Sequence, residues 1–137
     1  MPSSVCYNVL DSILTDGGFT YDPRSDRLVR VGEATGYMIA IPGTEQLLGP
    51  ACLTRDEFVT RFVALVRRAV VGDGVYVGGW LSPDRGFMIE LSELFRGDRV
   101  SAVRLGALRN QEAILDLGSG ELISTGGTGD GAAASAA

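Results

Sequence analysis

Two carboxylates are the residues best placed by type and spacing to do chemistry, Glu90 and Asp116. Each stands one residue before the end of a predicted strand, 87–91 and 113–117, and a predicted helix at 98–109 joins the two. A strand–helix–strand crossover with parallel strands gathers ligands at the strands' carboxyl ends. If the two strands are adjacent and in register, the carboxylates share one face and repel. One then protonates, or an arginine or a divalent cation sits between them. With a metal held there and arginines on phosphate, the pair would serve a small metal-dependent enzyme acting on a nucleotide or nucleic acid. Strand register is not readable from one sequence, so the competing reading is of two polar-face residues with no neighbour relation.

Arg104 is a second lead. On a helical wheel it falls among Val100, Val103, Ala107 and Leu108, so it must either carry its head to water or pair with a carboxylate. Asp116 and Glu90 are the candidate partners. Four further positions are candidate contacts for a partner or ligand: Tyr37, Glu45, Trp80 and Arg85. Asn110 and Gln111 join them, because adjacent amides between a helix and a strand can bind backbone or a ligand edge, or simply cap the helix.

What the chain lacks narrows the chemistry further. Its 137 residues carry a net charge of −5 and no histidine, and all twelve basic residues are arginine. Without histidine there is no Ser-His-Asp or Cys-His nucleophile pair and no imidazole shuttle. Without lysine there is no Schiff base and no lysine-bearing phosphate loop. Anion recognition falls to arginine, whose planar fork grips carboxylate or phosphate. The acidic balance argues against generic nucleic-acid binding. Cys6 and Cys52 form no CxxC motif and read as buried small hydrophobes in a reducing cytosol. No leader pattern and no long apolar run is present, so a cytoplasmic protein without membrane contact is expected.

The elements that must position these residues follow from periodicity. Val5, Val9, Leu10, Ile13 and Leu14 predict a first helix capped at Ser3 or Ser4 and stopped by Gly17 and Gly18. Phe19–Tyr21 and Leu28–Val31 flank a turn and predict a hairpin, and a third strand runs from Gly36 to Ile41. The stretch 42–53, punctuated by Pro42, Gly43, Gly49 and Pro50, reads as a loop of functional length. Thr54 and Glu57 form a capping box for a helix whose Phe58, Phe62, Leu65, Val66 and Ala69 share a face, with Arg61 and Arg68 opposite. Strands at 75–81 and 87–91 flank a turn at 82–86, and Gly78 and Gly79 within the first imply a bulge or a close approach. After the helix at 98–109 come strands at 113–117 and 122–124. The glycine spacing in 118–129 opens no helix and so reads as a turn plus tail, not a phosphate cradle. The fold class expected is α+β, a single-domain mixed, mainly antiparallel sheet packed against about three helices over 1–125, with a disordered Gly/Ala/Ser tail at 126–137.

Four segments carry a resemblance: GGFTYDP at Gly17–Pro23, GYMIAIPGTE at Gly36–Glu45, VGGWL at Val77–Leu81 and RNQEAILDL at Arg109–Leu117. They resemble stretches of an uncharacterised family of small proteins from actinobacteria and their phages. The resemblance implies a phage or mobile-element context and no particular activity. In element order alone the chain is similar to compact nuclease-toxin and ADP-ribosyltransferase-like domains, but it lacks a recognisable catalytic set of either kind. The expected function is a non-enzymatic binding or accessory protein without a cofactor. It would recognise a protein or a small anionic ligand through the sheet face and the 42–53 loop, with self-association through a strand edge open. The metal-dependent enzyme is the alternative.

Overall fold

In a computed structural model the protein is described at residues 17–48, 55–70, 72, 74–82 and 86–129. The predicted first helix, both cysteines, Thr54, residues 49–53, Arg85 with its turn, and residues 130–137 lie outside the described residues. Eight strands and two helices are present among those described: β1 (Gly18–Asp22), β2 (Arg27–Leu28), β3 (Tyr37–Ala40), β4 (Gln46–Leu48), α1 (Arg55–Ala69), β5 (Val75–Ser82), β6 (Gly86–Phe95), α2 (Arg99–Leu108), β7 (Ala113–Asp116) and β8 (Leu122–Ser124). The class is α+β as expected, with two described helices in place of about three.

The strands form one sheet in the order β2-β1-β5-β6-β3-β7-β8, and β4 also pairs with β6. Every described pairing is antiparallel. The expected crossover is present in altered form. Strands β6 and β7 run the same way, but β3 lies between them and pairs with both. Strand β6 is the spine: it pairs with β5 from Gly86 to Glu93, and its other edge is shared by β4 at Phe87–Ile89 and β3 at Ser92–Phe95.

Two of these features overturn the local reading. The sequence ends the β6 strand at Leu91, yet it continues to Phe95 because β3 pairs with Ser92–Phe95 and β5 with Ser92 and Glu93. Gln46–Leu48, read as loop, is the strand β4, and its partners Ile89, Met88 and Phe87 lie about forty residues away. Long-range hydrogen bonding overrides the proline and glycine punctuation around it.

Both helices pack on the same face of the sheet. Phe58, Phe62, Leu65 and Ala69 of α1 are fully buried against Phe19, Tyr21, Val77, Phe87, Ile89 and Leu91. Their recurrence every three or four residues makes one apolar stripe, and side chains at alternate strand positions meet it. Phe58 and Phe62 stack at 5.7 Å between centroids, and Phe19, Tyr21 and Phe87 meet them edge-on. Asp56 and Glu57 in the first turn and Arg67 and Arg68 in the last complement the helix dipole.

Helix α2 covers β3 and β7 through Ala102 and Gly106, which are buried beside Ile39, Ile114 and Ile123. A methyl on Gly106 would come within 2.7 Å of Ile114 Cγ2 and 2.8 Å of Thr125 Cγ2, so the helix lies close on the sheet. Asp98 caps it by accepting a hydrogen bond from Ser101 N at 2.7 Å. Asn110 closes it with a left-handed φ of 52°. No helix among the described residues is long and apolar enough to cross a membrane.

Candidate functional site

The register separates Glu90 from Asp116. Asp116 pairs with Tyr37, which pairs with Phe95, so it lies level with the end of β6. Glu90 is five residues earlier on β6 and faces Gly78. At strand rise that is about 17 Å along the sheet, with β3 interposed as well. The two carboxylates also occupy opposite faces: Asp116, two residues from Ile114, shares its face beneath α2, whereas Glu90 stands between Ile89 and Leu91, which lie beneath α1, and so points to the other face. They form no metal site together, and no group of three or more acids or thiols capable of holding a metal exists among the described residues.

Glu90 instead meets Glu45. Strand β4 brings Gln46 opposite Ile89, so the residue before it falls alongside Glu90 on the face away from the helices. Glu45 and Glu90 are only 4% and 8% exposed. Burial, reinforced by the Glu45 carboxylate, pushes the Glu90 carboxyl up to about 8, and the Ser92 hydroxyl offsets this only in part. Glu90 Oε2 has no hydrogen-bond partner among the described residues. At neutral pH Glu90 is therefore a protonated acid inside the fold. Gly78, opposite, makes room for it: a methyl there would stand 3.4 Å from Glu90 Oε1 and 3.2 Å from Ser92 Oγ. The paired glycines of β5 make no bulge, since the β5–β6 register is unbroken. At Gly79 the space is filled by the Phe19 ring crossing the strand.

Arg104 is exposed, as are Val100, Ala107 and Leu108, so most of the arc that the helical wheel assigned to the core faces outward, and only its Val103 packs against the core. The small residues Ala102 and Gly106 win the inner face because close approach to the sheet recovers more packing than larger side chains held further away. Arg104 forms no ion pair among the described residues, and its proposed partners Glu90 and Asp116 are elsewhere.

The remaining candidates divide by role. Asn110 and Gln111 both make hydrogen bonds within the fold. Asn110 Nδ2 donates to Thr128 Oγ1 at 2.9 Å, its Oδ1 accepts from Thr128 N at 3.0 Å, and its carbonyl accepts from Gly129 N at 2.8 Å. Gln111 is buried, with N bonded to Gly106 O and Nε2 to Arg109 O. The Asn110 bonds hold Thr128 and Gly129 against the helix end. Trp80 is half-buried on the face away from the helices, level with Gly18. Arg85 is outside the described residues.

Tyr37 and Asp116 come together in a cleft of about 250 Å³ lined also by Thr35, Gly36, Arg96, Gly97 and Gly118. It lies where β6 and β7 end and α2 begins, at the carboxyl ends of the crossover strands. Gly36, with φ 127°, forms part of its wall; a methyl there would stand 2.9 Å from the Phe95 carbonyl. Asp116 Oδ1 accepts from Gly118 N at 3.0 Å and Ser119 N at 3.4 Å, shaping the turn before β8. Arg99 pairs with Glu121 at 3.2 Å, and Glu121 holds its guanidinium above the ordinary value, with smaller contributions from Tyr37 and Asp116. Arg96 is exposed and forms no ion pair among the described residues. Arg96 and Gly97 stand between the end of β6 and the Asp98 cap of α2. Comparison with protein-family models, curated proteins and solved structures finds no match to this chain.

Proposed function

We propose that this chain is a non-enzymatic binding protein that takes a small anionic group, a carboxylate or phosphate, in the cleft between Tyr37, Arg96 and Asp116. The carrying observation is Arg96: a cation with no ion pair among the described residues, lining a cleft at the carboxyl ends of two like-directed strands. Arginine is the chain's only cationic side chain, and its planar fork suits the gripping of an oxyanion. Asp116 opposes an anion less than its charge suggests, because it is bonded into the 117–119 turn and faces Arg99. At about 250 Å³ the cleft is smaller than the ~300–1,000 Å³ of sites for drug-sized ligands, which favours a single acidic group over a nucleotide. A phage or mobile-element setting, implied by the resemblance, belongs to the same proposal.

Titration with inorganic phosphate and with acetate, followed by amide NMR shifts, tests this reading. Saturable shifts should gather at Gly36, Gly97 and Gly118, and Arg96→Ala should weaken binding by about tenfold or more. Shifts scattered over the surface, or unchanged in Arg96→Ala, would refute it.

A further inference from the structure

Helix α2 packs Ala102, Val103, Leu105 and Gly106 inward and leaves a second set of apolar side chains outward. Val100 is 67% exposed and Leu108 79%, and Ala107 and Arg104 are exposed with them. Positions 100, 104, 107 and 108 recur at the i, i+4, i+7 and i+8 spacing of a single helical stripe, about 12 Å long between the end residues. Isolated surface apolar residues need no explanation, but here Val100, Ala107 and Leu108 share one exposed face with Arg104.

The charges on this element indicate what would cover it. Residues 96–109 hold four arginines and one aspartate in a chain of net charge −5. The aspartate, Asp98, is spent on the helix cap, Arg99 on Glu121 and Arg109 on Glu93. Arg104 has no acid partner among the described residues. It sits midway between Val100 and Leu108, so two copies pairing antiparallel about this stripe would set Arg104 against its own counterpart. A partner with a carboxylate at that midpoint would instead form a charge-assisted pair as the flanking apolar groups close around it.

We propose that the outer face of α2 docks an amphipathic helix of a partner protein whose apolar stripe carries a central acidic residue. The fit is helix against helix: leucine-like anchors on Val100 and Leu108, and a carboxylate on Arg104. The surface is independent of the cleft, since none of these residues lines it.

Two synthetic helical peptides test this. They share a leucine stripe and differ only in its central residue, glutamate in one and lysine in the other. By fluorescence anisotropy the intact chain should bind the glutamate peptide about tenfold or more tightly than the lysine peptide. Arg104→Glu should reverse that preference. Leu108→Gln should abolish binding of either peptide while leaving the phosphate titration of the cleft unchanged, so the two readings fail separately. All these side chains are exposed, and unchanged circular dichroism would show that the variants fold. Equal binding of both peptides, binding indifferent to Arg104→Glu, no binding at millimolar concentration, or a dimer in sedimentation that Leu108→Gln dissolves would each overturn the proposal.

Discussion

A carboxyl buried beside another carboxylate makes stability depend on pH in a direction opposite to the usual surface acid. Glu90 has its carboxyl raised from 4.5 to about 8, first by burial and then by Glu45. The folded chain keeps a proton that the unfolded chain releases near 4.5, so this group's contribution is complete below that pH and drains away as pH rises to about 8. Glu90→Gln keeps the shape without the titration. It should raise stability at pH 8 by about 2 to 4 kcal/mol and flatten the pH dependence, as read from urea unfolding at several pH values. Glu45→Gln should leave most of the dependence in place, because desolvation is the larger cause. Each glutamate was visible in the sequence as a candidate. Their meeting was not, because they stand 45 positions apart and only the β4–β6 pairing joins them.

Individual elements carry their own tests where backbone and side chain leave no slack. Gly36 has a φ of 127°, and a methyl there would meet Leu94 Cδ1 at 2.8 Å and the Phe95 carbonyl at 2.9 Å. Gly36→Ala should therefore cost about 2 to 3 kcal/mol in thermal or urea unfolding, with β3 and the cleft disturbed together. In β5, Gly79 accommodates the Phe19 ring, and a methyl would also stand 3.1 Å from the Met88 carbonyl. Gly79→Ala should destabilise less when Phe19 is already shortened to leucine, a coupling that a double-mutant cycle measures. Helix α1 was legible in advance because its apolar period is long and its core residues are large. Helix α2 was legible in extent but not in orientation: a wheel ranks faces by hydrophobicity, whereas the sheet selected the face of Ala102 and Gly106 by close fit.

Across the whole molecule, one sheet joins two packed regions. The aromatic cluster under α1 and the smaller cluster of Ile39, Ala102, Ile114 and Ile123 under α2 are joined through the paired strands β3 and β6. Phe62→Ala removes a fully buried ring that contacts Phe19, Tyr21 and Phe58, and should cost about 3 to 5 kcal/mol in equilibrium unfolding. Amide exchange should be slowest in β6, bonded on both edges, and fastest at β2 and β8, which end the sheet. Composition by itself narrowed the chemistry available here, since lacking histidine and lysine leaves acid–base work to carboxylates, tyrosines and two thiols and side-chain cations to arginine, whatever the fold. Periodicity determined α1, the extent of α2 and most strands, because those patterns arise from neighbours a few residues apart. Tertiary structure alone decided that β3 separates β6 from β7, that Glu45 lies against Glu90, and that Tyr37, Arg96 and Asp116 border one cleft. The reason is physical: each depends on which distant backbone edge supplies the hydrogen bonds, and a shift of one residue in that register would send every side chain to the other face.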